Sequence, residues 1–185
     1  EPRGRIEAAL PLHRMWTVAW RAPAFRRLMM FSAAWAFVCG IAAPFFAPHM
    51  QRHLDMPLRA IALYSILAGL TGIVAQPLWG RVSDRVGHRP TLVLTGALVT
   101  GLPLLWLFAT RERLWPIWLD AALTGLVWPG FNLAHFNLAL SVSPDQHRTV
   151  CLAVRGLVTG IVQASAALLG GALAHALGEV RWTLG

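Results

Sequence analysis

Asp120, His135 and Arg155 are the main side chains able to carry charge inside the apolar stretches of this 185-residue sequence. An ionisable group at membrane depth costs about 2.5–3.5 kcal/mol on insertion scales, so each requires a partner or a task. A carboxyl can exchange a proton or hold a cation, an imidazole can exchange a proton near neutral pH or hydrogen-bond a solute, and a guanidinium can hold an anion. With Val127 as the centre of the run 114–140, the ~1.5 Å helical rise puts Asp120 about 10 Å to one side and His135 about 12 Å to the other. At ~100° per residue they lie about 60° apart around the helix, on one face with Thr124 and Phe131, and that face is expected to line a cavity. Structural roles stand beside these. Asp120 can be an interfacial residue near Arg111 and Arg113, His135 a hydrogen-bonded packing residue, and Arg155 a side chain snorkelling to the headgroups rather than holding an anionic substrate or an acid elsewhere. Asn132, Asn137 and Gln163 can hydrogen-bond a solute or a neighbouring helix.

Catalytic chemistry finds no footing. The sequence has no Ser, His and Asp grouping around a nucleophile elbow, no HExxH, and no lysine with which to close a phosphate-binding loop. No catalytic residue, metal site or cofactor is expected. Cys39 and Cys151 form neither a CxxC nor a metal-type spacing with histidines, so a disulfide is not expected either.

The elements that must position these groups are membrane helices. The chain is 56% hydrophobic and 13% charged, against roughly 45–50% and about 25% in soluble domains. All sixteen basic residues are arginine and the net charge is +8. These arginines lie between apolar runs rather than on one soluble face, which argues for loop charges and against nucleic acid as a partner. A hydrocarbon core of ~30 Å needs about 20 apolar helical residues. Five runs qualify, at about 28–48, 60–79, 91–110, 114–140 and 149–177, with a linker over residues 1–27 that contains a candidate interfacial helix between Ile6 and Phe25. Alternating the runs across the bilayer puts ten arginines on one side, in residues 1–27, 80–90 and 141–148, and five on the other. The ten face the cytoplasm by the positive-inside rule, which makes the protein a multi-pass inner-membrane protein with the lipid bilayer as its partner. The sequence lacks an initiator Met and a signal peptide and reads as a piece of a longer chain.

The densest charge is the stretch GRVSDRVGHRP, residues 80–90, between the second and third runs. Gly80 is expected to end one helix, Asp84 and Arg85 to flank the loop centre, and Gly87 to allow a left-handed turn before Pro90 and Thr91 open the next helix. A rigid aspartate there can cap a neighbouring helix N-terminus, and the arginines can hold carboxylates or carbonyls, contacts that suit one conformation and break in another. At these residues the sequence resembles the major facilitator superfamily of secondary transporters, whose loop runs Gly, three residues, Asp, a basic residue, any, Gly, then two basic residues. Gly80, Asp84, Arg85, Gly87 and Arg89 match, and His88 replaces one basic residue. The SPDQHR stretch, residues 143–148, resembles the family's loop between helices ten and eleven.

The resemblance implies an all-α polytopic bundle built from inverted three-plus-three repeats. The Arg-rich approach WRAPAFRRLMMF, the absence of an arginine from the fourth run and the absence of a Gly-Pro pair from the fifth favour helices seven to eleven of the C-terminal half. The twelfth helix is then missing, EVRWTLG leads towards it, and the partner is the N-terminal six-helix half of the same chain. An internal echo supports the repeat: GIAAPFFA from Gly40 and GLVWPGFN from Gly125 both place a proline four residues after a glycine, with Pro44 sixteen residues after Leu28 and Pro129 fifteen after Leu114. Interrupted helices at corresponding positions point to a transporter's central site, and in the family helices seven and ten line the cavity. The expected function is secondary transport of a small molecule by alternating access, preferentially proton-coupled efflux. A nutrient importer, a non-transporting membrane sensor or assembly protein, and a membrane-embedded enzyme are the rivals.

Overall fold

Pro23 opens the first described helix, at a position where its missing N–H costs nothing. A computed structural model describes Trp20 and residues 22–183; the expected linker over residues 1–27, with most of its interfacial helix, lies largely outside them, and its residues 23–27 fall within that first helix. The helices are α1 (Pro23–Arg52), α2 (Leu58–Val86), α3 (His88–Gly101), α4 (Pro103–Trp106), α5 (Trp115–Val142) and α6 (Arg148–Thr183), with a 3-10 turn at Asp145–His147. Among the described residues the only pairing outside helices is an isolated bridge between Thr110 and Arg113.

Three stretches are long and apolar enough to cross a membrane by length and composition: Pro23–Arg52, Leu58–Val86 and Asp145–His175. The run expected at 91–110 is broken instead, because Pro103 has no N–H for the carbonyl of Val99 and α3 stops at Gly101 after 14 residues. α5 is 28 residues long, with Asp120, Asn132, His135 and Asn137 interrupting its apolar sequence. On α2, Leu63, Ile66, Leu70, Ile73 and Val74 are exposed, a continuous apolar face of the kind that hydrocarbon or further helices cover.

The chain forms two compact units, one taking residues up to Ala43 and from Ala139 onward, the other Pro44–Leu138. In the first, Phe25 and Met29 of α1 are buried with Cys151 and Val154 of α6. The helices approach most closely at Gly40, where a Cβ would stand 2.6 Å from the Gln163 carbonyl oxygen, and at Gly170, where one would stand 2.8 Å from that of Ile41. In the second, Met50, Leu54, Met56 and Ile117 form a core with Tyr64, Trp106 and Trp118 around it. α2 and α5 touch backbone to backbone at Gly125, whose missing side chain leaves room for the Ala68 carbonyl and the Thr71 hydroxyl. Spacing alone does not make such a contact: Gly72 faces α5, whereas a Cβ added at Gly69, Gly156 or Gly160 would find no atom within 4 Å among the described residues.

Candidate functional site: the hairpin and the groove of α2 and α5

Gly80 does not end a helix. α2 continues to Val86, since nothing between the two glycines disfavours helix strongly enough to stop it, and Asp84 and Arg85 consequently ride its last turn. The turn is the single residue Gly87, at φ 98° and ψ 155°, a backbone state open to glycine and strained for other residues. Its N–H donates to the Ser83 carbonyl at 2.9 Å, and its own carbonyl accepts from the Thr91 hydroxyl at 2.8 Å. Ser83, buried, shares a 2.7 Å hydrogen bond with Nδ1 of His88, so the residue that departs from the family pattern pins the turn from the other side. Asp84, Arg85 and Arg89 are exposed, and among the described residues none of the three forms an ion pair.

Further back along α2, that helix and α5 enclose a groove of about 580 Å³, within the ~300–1,000 Å³ usual for small-molecule sites. Gly72, Gly125 and Pro129 shape its floor, Trp128 and Phe136 supply aromatic surface, and Gln76, Thr124 and Asn132 supply polar groups. Pro129 has no N–H to offer the Gly125 carbonyl, its acceptor one turn back. That oxygen lies against Gly72, where an added Cβ would be 3.5 Å away. At the groove's end the Trp79 indole donates to the Leu126 carbonyl at 2.6 Å, and its ring fills the space that a side chain at Gly130 would need.

Asp120 lies at the opposite end of α5 from the hairpin and is 2% exposed. It is not beside the arginines. Arg111 reaches Asp55 instead, at 2.6 Å, and donates to the His53 carbonyl at 3.0 Å. Asp120 accepts a 2.7 Å hydrogen bond from the Tyr64 hydroxyl of α2 and has the Trp106 indole beside it, while Thr124 meets the same Tyr64 oxygen. Thr124 also lines the groove, so a chain of polar groups runs from the buried carboxyl to the groove wall. His135 is buried beside Phe131, ring centroids 5.4 Å apart. Of the face expected to line a cavity, Thr124 does so, whereas Asp120, Phe131 and His135 are covered by protein and Asn132 takes their place.

In the other unit Arg155 donates to the buried Ser32 hydroxyl of α1 at 3.3 Å, and Arg148 pairs with Asp145 at 2.5 Å at the start of α6. Neither expected break interrupts its helix, since α1 runs on through Pro44 and α5 through Pro129, each losing one backbone hydrogen bond at the proline. Gly40 is closed over by α6 and Pro44 is exposed, so of the two segments only Gly125 and Pro129 line the groove. Tyr64 and Trp128 escaped the sequence reading. Tyr64 is the chain's only tyrosine, and counting inward from the shared outer ends of their runs puts it near the depth of Asp120, which was a usable signal.

Comparisons with known proteins agree with the hairpin. The Major Facilitator Superfamily profile matches residues 28–185. The inner membrane transport protein YajR of Escherichia coli K12 is 34% identical over 119 residues, covering 64% of this chain and 24% of that protein. The class E tetracycline resistance protein of Escherichia coli is 30% identical over 112 residues, covering 60% of this chain and 26% of its own length. No solved structure gives a significant match. The chain thus spans about a quarter of the curated relatives it matches. With the Gly-Asp-Arg-Gly hairpin between two apolar helices and a profile match over most of its length, the chain belongs to the Major Facilitator Superfamily.

Proposed function

We propose that this chain is the C-terminal bundle, less its last helix, of an inner-membrane secondary transporter that moves a small amphipathic molecule outward by alternating access, driven by protons. The observation that carries the reading is the family match over residues 28–185. One relative named as an inner membrane transport protein supports transport, and one named as a tetracycline resistance protein supports the outward direction. An N-terminal six-helix half of the same chain would complete the cavity.

In this reading the groove between α2 and α5 holds part of the substrate. Asp120 carries the proton: ionised, it accepts from Tyr64 and Trp106, and protonated it becomes a donor and must rearrange those bonds. Thr124, in touch with both Tyr64 and the groove, lets that rearrangement reach the substrate. Asp84 and Arg85, exposed on the rigid last turn of α2, latch the cytoplasmic side against the missing half.

The test is transport by the full-length protein in energised inverted vesicles. Accumulation of amphipathic compounds should collapse when a protonophore is added. Asp84→Asn should slow it about tenfold, the loss of roughly 1.4 kcal/mol of interaction, with abundance unchanged. Accumulation indifferent to the proton gradient would overturn the coupling, and a fully active Asp84→Asn would overturn the latch.

A further inference from the structure

The groove walls specify more than an amphipathic molecule. Among the described residues that line it none is charged: the polar contributions are the amides of Gln76 and Asn132, the Thr124 hydroxyl and the Gly125 carbonyl that Pro129 leaves without its helical donor. A charged group seated there would give up hydration with no opposite charge to meet it. Trp128 and Phe136 present aromatic surface on the same helix as Asn132, which favours a flat ring over a flexible alkyl chain of equal size. The amides of Asn132 and Gln76 and the Thr124 hydroxyl can accept or donate, but the Gly125 carbonyl can only accept, so the ligand that satisfies it carries a hydroxyl or N–H donor on its ring.

We propose that the α2 and α5 groove binds the uncharged aromatic part of the substrate, a ring bearing at least one hydrogen-bond donor. Whatever charge the substrate carries is held elsewhere in the transporter. This inference rests on the reading of the chain as part of a transporter, and it names the chemical class that this part of the cavity selects.

Three probes of one shape separate the possibilities: 4-phenylphenol, which is neutral with a donor; 4-methoxybiphenyl, neutral without one; and biphenyl-4-carboxylate, an anion. Binding of each tritiated probe to the full-length protein in nanodiscs is measured at neutral pH against empty nanodiscs. The phenol should bind about tenfold more tightly than the ether, the size of one hydrogen bond that is lost with an acceptor left bare. The carboxylate should bind more weakly than the phenol. Asn132→Ala should weaken phenol binding about five- to tenfold and the ether less, and Trp128→Ala should weaken both neutral probes. Equal binding of phenol and ether, tighter binding of the carboxylate, or phenol binding indifferent to both substitutions would overturn the proposal. The last result, accompanied by a loss of folded protein in Trp128→Ala, would mean that the groove seats a helix of the other half. The vesicle assay is read separately. Proton-driven accumulation with indifferent groove variants leaves the transporter reading standing while the groove inference falls, and specific phenol binding without any transport does the reverse.

Discussion

The segments from Gly40 to Pro44 and from Gly125 to Pro129 share one spacing, and the unbroken helices that carry them use it differently. At Gly40 the missing side chain lets α6 close over α1, with the Gln163 carbonyl where a Cβ would stand, and Pro44 is left exposed one turn on. At Gly125 the missing side chain lets α2 come closer still, but one turn later Pro129 faces the partner helix, frees a carbonyl and borders a groove. A sequence repeat therefore preserves the local means of close approach without preserving what is built on it. The outcome depends on which neighbour the glycine admits and on where the proline then points.

The comparison is broken or sharpened by substitution, and the largest effect is expected at Gly125. Gly125→Ala drives a Cβ into the Ala68 carbonyl and the Thr71 hydroxyl, and should destabilise the full-length protein by about 3 kcal/mol, the upper end for overpacking, in thermal unfolding. Gly40→Ala meets one backbone oxygen and the Ala166 methyl and should cost about 1–3 kcal/mol in the same measurement. A Gly40→Ala protein that also lost phenol binding while still folded would place the first segment in the binding site and erase the contrast.

Tyr64→Phe sharpens the picture of the second segment by removing the donor to Asp120 just before it. A buried acceptor is left short, so unfolding should show a loss of about 1–3 kcal/mol. Trp79→Phe, beyond the groove's other end, removes one hydrogen bond to the Leu126 carbonyl and should cost about 0.5–1.5 kcal/mol. The smallest effect belongs to Pro44→Ala, which should change phenol binding by less than about twofold, whereas Pro129→Ala restores a donor to the Gly125 carbonyl and should weaken it about fivefold. Equal responses of the two proline variants would mean that the groove does not read that carbonyl.

Composition and periodicity alone determined that this is a helical membrane protein, because apolar runs of bilayer length leave no other way to satisfy the backbone. The spacing of Gly80, Asp84, Arg85, Gly87 and Arg89 determined the superfamily, since a one-residue turn at positive φ is written locally in a glycine and its charged neighbours. The backbone donor missing at Pro129 was legible on the same local terms, although α5 runs unbroken through it. Tertiary structure decided the rest. Helical periodicity put Asp120, Thr124, Phe131 and His135 on one broad face, but only the placing of neighbouring helices, α2 and α4 at Asp120 and α3 at Phe131, decides which of them are covered and which remain open. Tyr64 and Trp106 close over Asp120, Trp79 fills the space at Gly130, and the opening falls instead at Thr124, Trp128 and Asn132. A sequence states which side chains a helix presents at each angle, whereas the partner opposite that angle comes from residues some 50 positions away, such as the 56 that separate Tyr64 from Asp120, and is set by how closely two backbones can approach.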